Sequence, residues 1–152
     1  MKRNNKSRAV ADRLARECLG VRLRMLHRAV SRIYDSAFRP HGVRAGQMTI
    51  LIAVAYRGSL KPSDLCRVLH MEKSTLSRDV TVLQRQGWLE VEPDEQERGQ
   101  ILRVSRAGLA LLENIFPAWE DAQRQVTALL GEAGVSALHE TAHKLGFPAC
   151  RR

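Results

Sequence analysis

Apolar residues recur at helical spacing from about Ala9 to Phe38, predicting one long helix behind a short polar, basic tail of residues 1–8. Two apolar stripes run along this stretch. Leu14, Cys18, Val21 and Met25 form one, and Leu19, Leu23, Leu26, Val30 and Ile33 form the other. A helix packing on one neighbour needs a single stripe, so two stripes predict contact on two sides, as in a bundle or a dimer. Pro40 and Gly42 end the pattern. A short apolar helix is predicted from Gln47 to Tyr56, closed by Arg57-Gly58-Ser59. Pro62 suits the first position of a following helix that reaches Leu69, with Lys61 in place of a good capping residue. A further helix is expected from Lys73 to Gln86, stopped by Gly87.

Then the period changes from helical to alternating. Trp88 to Glu92 and Gln100 to Val104 read as two strands, and the polar stretch Pro93–Gly99 reads as the tip of their hairpin. The helical period returns at Arg106, with Leu109, Leu112, Phe116 and Trp119 on one face. Pro117 predicts a kink, and Gly131 with Gly134 predicts a break before a last helix at about Val135–Leu145. Residues 147–152 form a tail.

Two short helices followed by a hairpin, inside flanking helices, make a winged helix-turn-helix. The second helix of such a pair enters the DNA major groove. With about 100° per residue, Leu76, Val80 and Leu83 share the face that packs inward. Ser74, Ser77, Arg78, Thr81 and Arg85 fall on the opposite side, and Lys73 and Thr75 complete the candidate DNA-binding set on this helix. Hydroxyls and short side chains suit phosphate contact, while arginine can also bond guanine edges bidentately. Arg78, near the middle of the helix, is placed for base edges. Lys73 and Arg85, near its ends, are placed for phosphates.

Charge strengthens this reading. The 152 residues carry 25 Lys plus Arg against 16 Asp plus Glu, a net +9, and a field of that sign attracts polyanions. Aromatics are 5% of the chain, too few for a membrane-surface helix with bulky anchors.

The stretch SDLCRVLHMEKSTLSRDVTVLQRQGWLEVEPDEQERGQILRVSRAGLALLE resembles the core of a MarR-type regulator. The family pattern joins a Ser/Thr-rich recognition helix, a Gly plus a hydrophobe, a wing, and an arginine followed by Leu-Thr-x-x-Gly. Arg98, Val104, Ser105 and Gly108 hold those last positions. The resemblance covers roughly residues 10–146. It implies a mainly α fold with a small β wing: a winged helix-turn-helix domain at 44–105, with an N-terminal dimerisation helix at 9–40 and C-terminal dimerisation helices at 106–146. It further implies a homodimeric repressor of double-stranded DNA, released by a small phenolic or anionic effector, with Arg98 inserted by the wing. Gln96 stands where the family often has an aspartate orienting that arginine, with Glu97 or Asp94 as candidate substitutes, and the wing is acidic at Glu92, Asp94, Glu95 and Glu97.

Competing motifs carry less. His139-Glu-Thr-Ala-His143 matches HExxH, which on a helix places two imidazoles one turn apart beside a base, but the nine residues after it contain no His, Asp or Glu. A small metal-binding protein or hydrolase is the alternative this motif offers. A non-specific nucleic-acid binder is the alternative the charge offers. Cys18 and Cys66 are expected to be inert, Cys18 in an apolar stripe and Cys66 in the helix-turn-helix core; Cys150 is expected in the exposed tail. No cofactor, bound metal or catalytic residue is expected. The polar N-terminus lacks a secretory pattern, and no apolar run of about 18 residues exists, so a reduced, cytoplasmic setting without a membrane partner is expected.

Overall fold

A computed structural model describes residues 2–94 and 99–146, with the backbone alone for residues 2–5. Arg98, Gln96 and the acidic Glu95 and Glu97 of the wing, together with Cys150 and the 147–152 tail, lie outside the described residues.

The first helical stretch is two helices, α1 (Lys2–Glu17) and α2 (Leu19–Phe38). Helix α1 begins at Lys2, inside the expected tail, because no Gly or Pro interrupts the chain before Glu17. The expected single helix is interrupted at Cys18, whose ψ of 108° is extended. Two features ease the interruption. Gly20 is the weakest helix former nearby. The Arg22 guanidinium also donates across the break to the carbonyl of Arg16, satisfying one of the orphan acceptors at the end of α1.

A single 3-10 turn, Arg39–His41, ends on Gly42 with a left-handed φ of 73°. The Asp35 carboxylate accepts from the amide of Ala45 at 2.8 Å, so α2 caps the start of α3 (Ala45–Arg57). Helix α3 is the centre of the core, with Met48, Ile50, Leu51 and Val54 buried. Helices α4 (Pro62–Leu69) and α5 (Lys73–Arg85) pack on it through Leu65, Leu76 and Leu83. Strands β1 (Leu89–Pro93) and β2 (Gln100–Val104) pair antiparallel from Leu89↔Val104 to Pro93↔Gln100. Leu60 adds a one-residue bridge on the other edge of β2, exchanging both backbone hydrogen bonds with Leu102 at 3.1 and 2.8 Å.

Helix α6 (Arg106–Lys144) returns along α2. It passes through Pro117 with helical dihedrals and departs from them at Gly131 alone (φ 68°, ψ 166°), so the expected break falls there and Gly134 remains helical. Buried Leu111, Ile115, Ala122 and Val126 hold α6 to the core on both sides of Pro117. The face bearing Leu109, Leu112, Phe116 and Trp119 lies beside this buried one, and Leu112 and Trp119 pack against the core from it. Leu109 and Phe116 are exposed, and Leu112 and Trp119 are half-buried. Both faces are apolar, so periodicity did not distinguish which of them meets the core.

The turn between α4 and α5 contains a strained residue. His70 closes α4 at φ 50°, ψ 41°, and it is the one positive-φ non-glycine residue among those described. Left-handed backbone costs a residue with a Cβ about 1 kcal/mol, which glycine avoids. His70→Gly is therefore expected to raise the melting temperature by about 2–3 °C. A lowered value in a thermal melt would contradict this account of the turn.

Candidate nucleic-acid interface

Helix α5 sits in the molecule as its pattern predicts. Leu76 and Leu83 are buried and Val80 half-buried, while Lys73, Ser74, Thr75, Ser77, Arg78, Thr81 and Arg85 are all exposed. The exposed groups are anchored locally. The Arg78 guanidinium donates to the carbonyl of Ser74 at 3.2 Å, and the Thr81 hydroxyl donates to that of Ser77 at 2.8 Å. Every one of these exposed positions carries a hydroxyl or a cation, and none is a bulky apolar residue. The remaining candidate, Arg98, lies outside the described residues.

Three connections fix α5 relative to the wing. Gly87, at φ 74°, lets the amide of Trp88 bond back to Leu83 and start β1 without a linker. Ser105 donates its hydroxyl to the carbonyl of Gly87 and accepts from the amide of Gly108 at 3.0 Å, capping α6 against the end of α5. Where β1 enters the hairpin tip, Lys61 pairs with Asp94 at 3.0 Å; the Asp94 side chain is 9% exposed, so this is a largely desolvated ion pair joining the start of α4 to the far end of β1. Lys61 thus leaves the cap of α4 to its backbone and ties the helix to the wing instead. Along the hairpin, Arg103 meets Glu92 at 3.3 Å and offsets part of the wing's acidity.

The sequence reading missed Arg44. It lies about thirty residues upstream of α5, yet it shares an open concavity of about 590 Å³ with Thr75, Arg78, Asp79 and Val82 of that helix and with Gly42 and Gln47. Hydrophobic periodicity contains no signal for this approach, which depends on how α3 and α5 cross.

A second, smaller cavity of about 190 Å³ lies where α2, α3 and α6 meet, lined by Tyr34, Phe38, Ala45, Met48, Thr49, Ile52 and Trp119. The Tyr34 hydroxyl donates to the side-chain oxygen of Gln123, joining α2 to α6, and burial pushes its pKa above the ordinary 10.0. His139 and His143 are exposed on α6 beyond Gly131, and among the described residues no group of three or more His, Cys, Asp or Glu could hold a metal ion. Cys18 and Cys66 are half-buried free thiols. No helix among the described residues is long and apolar enough to cross a membrane.

Against known proteins, a MarR-family model matches residues 41–98, which run from the last residue of the 3-10 turn through the helix-turn-helix and the first wing strand. The multiple antibiotic resistance protein MarR of Salmonella typhimurium is 24% identical over 129 residues, covering 84% of this chain and 90% of that protein. A mutant of Escherichia coli MarR complexed with operator DNA superposes with a TM-score of 0.76 at 22% identity, covering 90% of this chain and 98% of that one. Bordetella bronchiseptica BpsR, whose DNA binding is regulated by 6-hydroxynicotinic acid, superposes with a TM-score of 0.74 at 20% identity over 87% of this chain and 95% of that one.

Proposed function

We propose, from the premise that the chain belongs to the MarR family, that it is a cytoplasmic transcription repressor. In this reading it binds a pseudo-palindromic DNA operator as a homodimer and releases it when a small molecule binds. The observation that carries this reading is the exposed hydroxyl-and-cation face of α5, locked to a wing through Gly87 and Ser105 on a chain of net charge +9. Lys73, Ser74, Thr75, Ser77, Thr81 and Arg85 would hold phosphates and groove edges, with Arg78 reading a base and Arg98 entering the minor groove from the wing.

Dimer formation is supported by apolar surface that one chain leaves open. Leu19, Leu23 and Met25 on α2 are 73%, 63% and 64% exposed, and Leu129 and Leu138 on α6 are 54% and 51% exposed. Large apolar side chains exposed on two helices in this way support an interface, and a second copy would bury them. This assigns 9–40 and 106–146 to dimerisation and 44–105 to DNA binding. For the effector, the cavity beside Tyr34 and Trp119 offers an apolar site at the junction of the two regions, where a ligand would shift α3 relative to α6.

Footprinting on the DNA upstream of the protein's own gene, with sedimentation of the free protein at micromolar concentration, tests the proposal. Two protected half-sites centred about 10 base pairs apart and a dimeric sedimentation coefficient are expected. Uniform protection without dyad symmetry would favour a non-specific nucleic-acid binder, and a monomer would remove the basis for a palindrome.

A further inference from the structure

We infer that Arg44 grips a DNA phosphate from outside the recognition helix and that Asp79 limits how tightly it does so. The inference rests on the DNA-binding reading above and adds a phosphate clamp and a counter-charge to it.

The geometry begins with the backbone of residue 44. Arg44 precedes α3 in an extended conformation (φ −98°, ψ 155°). Its amide donates to the side-chain oxygen of Gln47 at 3.1 Å, and the next amide, of Ala45, donates to the Asp35 carboxylate at 2.8 Å. Gln47 is 7% exposed, so a buried polar side chain is used to hold this junction. The side chain of Arg44 is exposed, and it lines the same concavity as Arg78 and Thr75 of α5. A long cation on a doubly tethered backbone loses less freedom on binding than one on a loose loop. In this reading, a strand whose bases are read by Arg78 would pass its sugar-phosphate edge along this concavity. Two arginines from two elements therefore line one recess.

Asp79 lines that recess as well, one residue after Arg78 and half-buried. A carboxylate so placed attracts both arginines and repels a phosphate, which lowers affinity for DNA of any sequence. Its function in this reading is to keep non-specific binding weak, so that base contacts decide where the protein stays.

The experiment titrates the parent, Arg44→Ala, Arg44→Lys and Asp79→Asn against the upstream duplex and a scrambled duplex of equal length, at several salt concentrations. Arg44→Ala is expected to weaken both duplexes alike and to reduce the log–log salt slope by about 0.9 for each phosphate that is no longer neutralised. Between 50 and 200 mM salt, the parent then falls in affinity by about threefold more than the variant for each such phosphate. Arg44→Lys is expected to keep the slope, since a point charge still meets the phosphate. Asp79→Asn is expected to strengthen binding to both duplexes. An unchanged slope in Arg44→Ala, in a parent that binds DNA, overturns the inference and leaves the DNA-binding reading standing. Weakening confined to the upstream duplex makes Arg44 a base reader and overturns the clamp. Weaker binding of Asp79→Asn to the upstream duplex alone makes Asp79 a cytosine reader and removes its braking role. A parent that binds neither duplex removes both readings together.

Discussion

Gly108→Ala is expected to lower the melting temperature by about 10 °C, the largest stability effect of any single methyl addition at the described glycines. Gly108 is the third residue of α6 and is buried where that helix starts beneath the wing. A methyl group built on it would lie 2.7 Å from Cγ1 of Val104 and closer still to the carbonyl oxygen of Trp88. The carbonyl cannot yield cheaply. It accepts from the amide of Ser105 at 3.1 Å, and Ser105 in turn caps α6 through the Gly108 amide. One methyl therefore pushes apart the end of α5, the root of β1 and the start of α6 together. Overpacking against backbone costs about 3 kcal/mol, and for a chain of this size each kcal/mol shifts the melting temperature by about 2–4 °C. DNA affinity should fall with it, because the same joint sets the angle between recognition helix and wing. A melt within about 2 °C of the parent would show that the joint adjusts freely and that the close approach is not a constraint.

Arg78→Ala is expected to cost about 1–3 kcal/mol per half-site and to relax preference at one base position. In the DNA-free protein the guanidinium of Arg78 rests on the carbonyl of Ser74 at 3.2 Å, an exposed and weak interaction that a guanine edge readily replaces. Folding stability should hardly change, since the side chain is exposed and contributes no core packing. Arg85 is the internal comparison. It lies at the C-terminal end of α5, and its removal should weaken operator and scrambled DNA equally while lowering the salt slope. If Arg78→Ala weakens both duplexes by the same factor, Arg78 is a phosphate clamp, and discrimination must come from Ser74, Ser77, Thr81 or DNA shape.

Local chemistry made much of this protein legible before any coordinates. Pro62 and Gly87 mark the first residue of α4 and the residue just past the end of α5's cap because fixed φ and left-handed freedom each suit one kind of helix end. The inward triad of Leu76, Val80 and Leu83 left the opposite face of α5 polar, and that face is exposed. The switch from helical to alternating period located both wing strands to within a residue. These features depend on neighbours three or four residues away, or on single residues with restricted dihedrals, and such information is carried by sequence order itself.

Other features depend on residues far apart in the chain. The third backbone segment of the wing needs Leu60 beside Leu102, and the far end of β1 needs Lys61 beside Asp94. By its neighbours in the chain, Lys61 is a poor helix cap; packed, it is one half of a desolvated ion pair. The interruption at Cys18 passes unnoticed in a periodic pattern because the apolar stripe continues across it, while the Arg22 guanidinium that closes the gap acts through space. On α6, two apolar faces competed, and packing against α2 and α3 selected the one bearing Leu111, Ile115, Ala122 and Val126. Arg44 joined the α5 surface by the same route, through a crossing of helices that no spacing encodes. Sequence alone determined α3, α4, α5 and the two wing strands, and which face of α5 is polar, because backbone dihedrals and amphipathic period are local properties. Tertiary structure decided which apolar face is core, which charges pair and which distant residues share the exposed surface of α5, because burial and Coulomb energy depend on distance in space rather than along the chain.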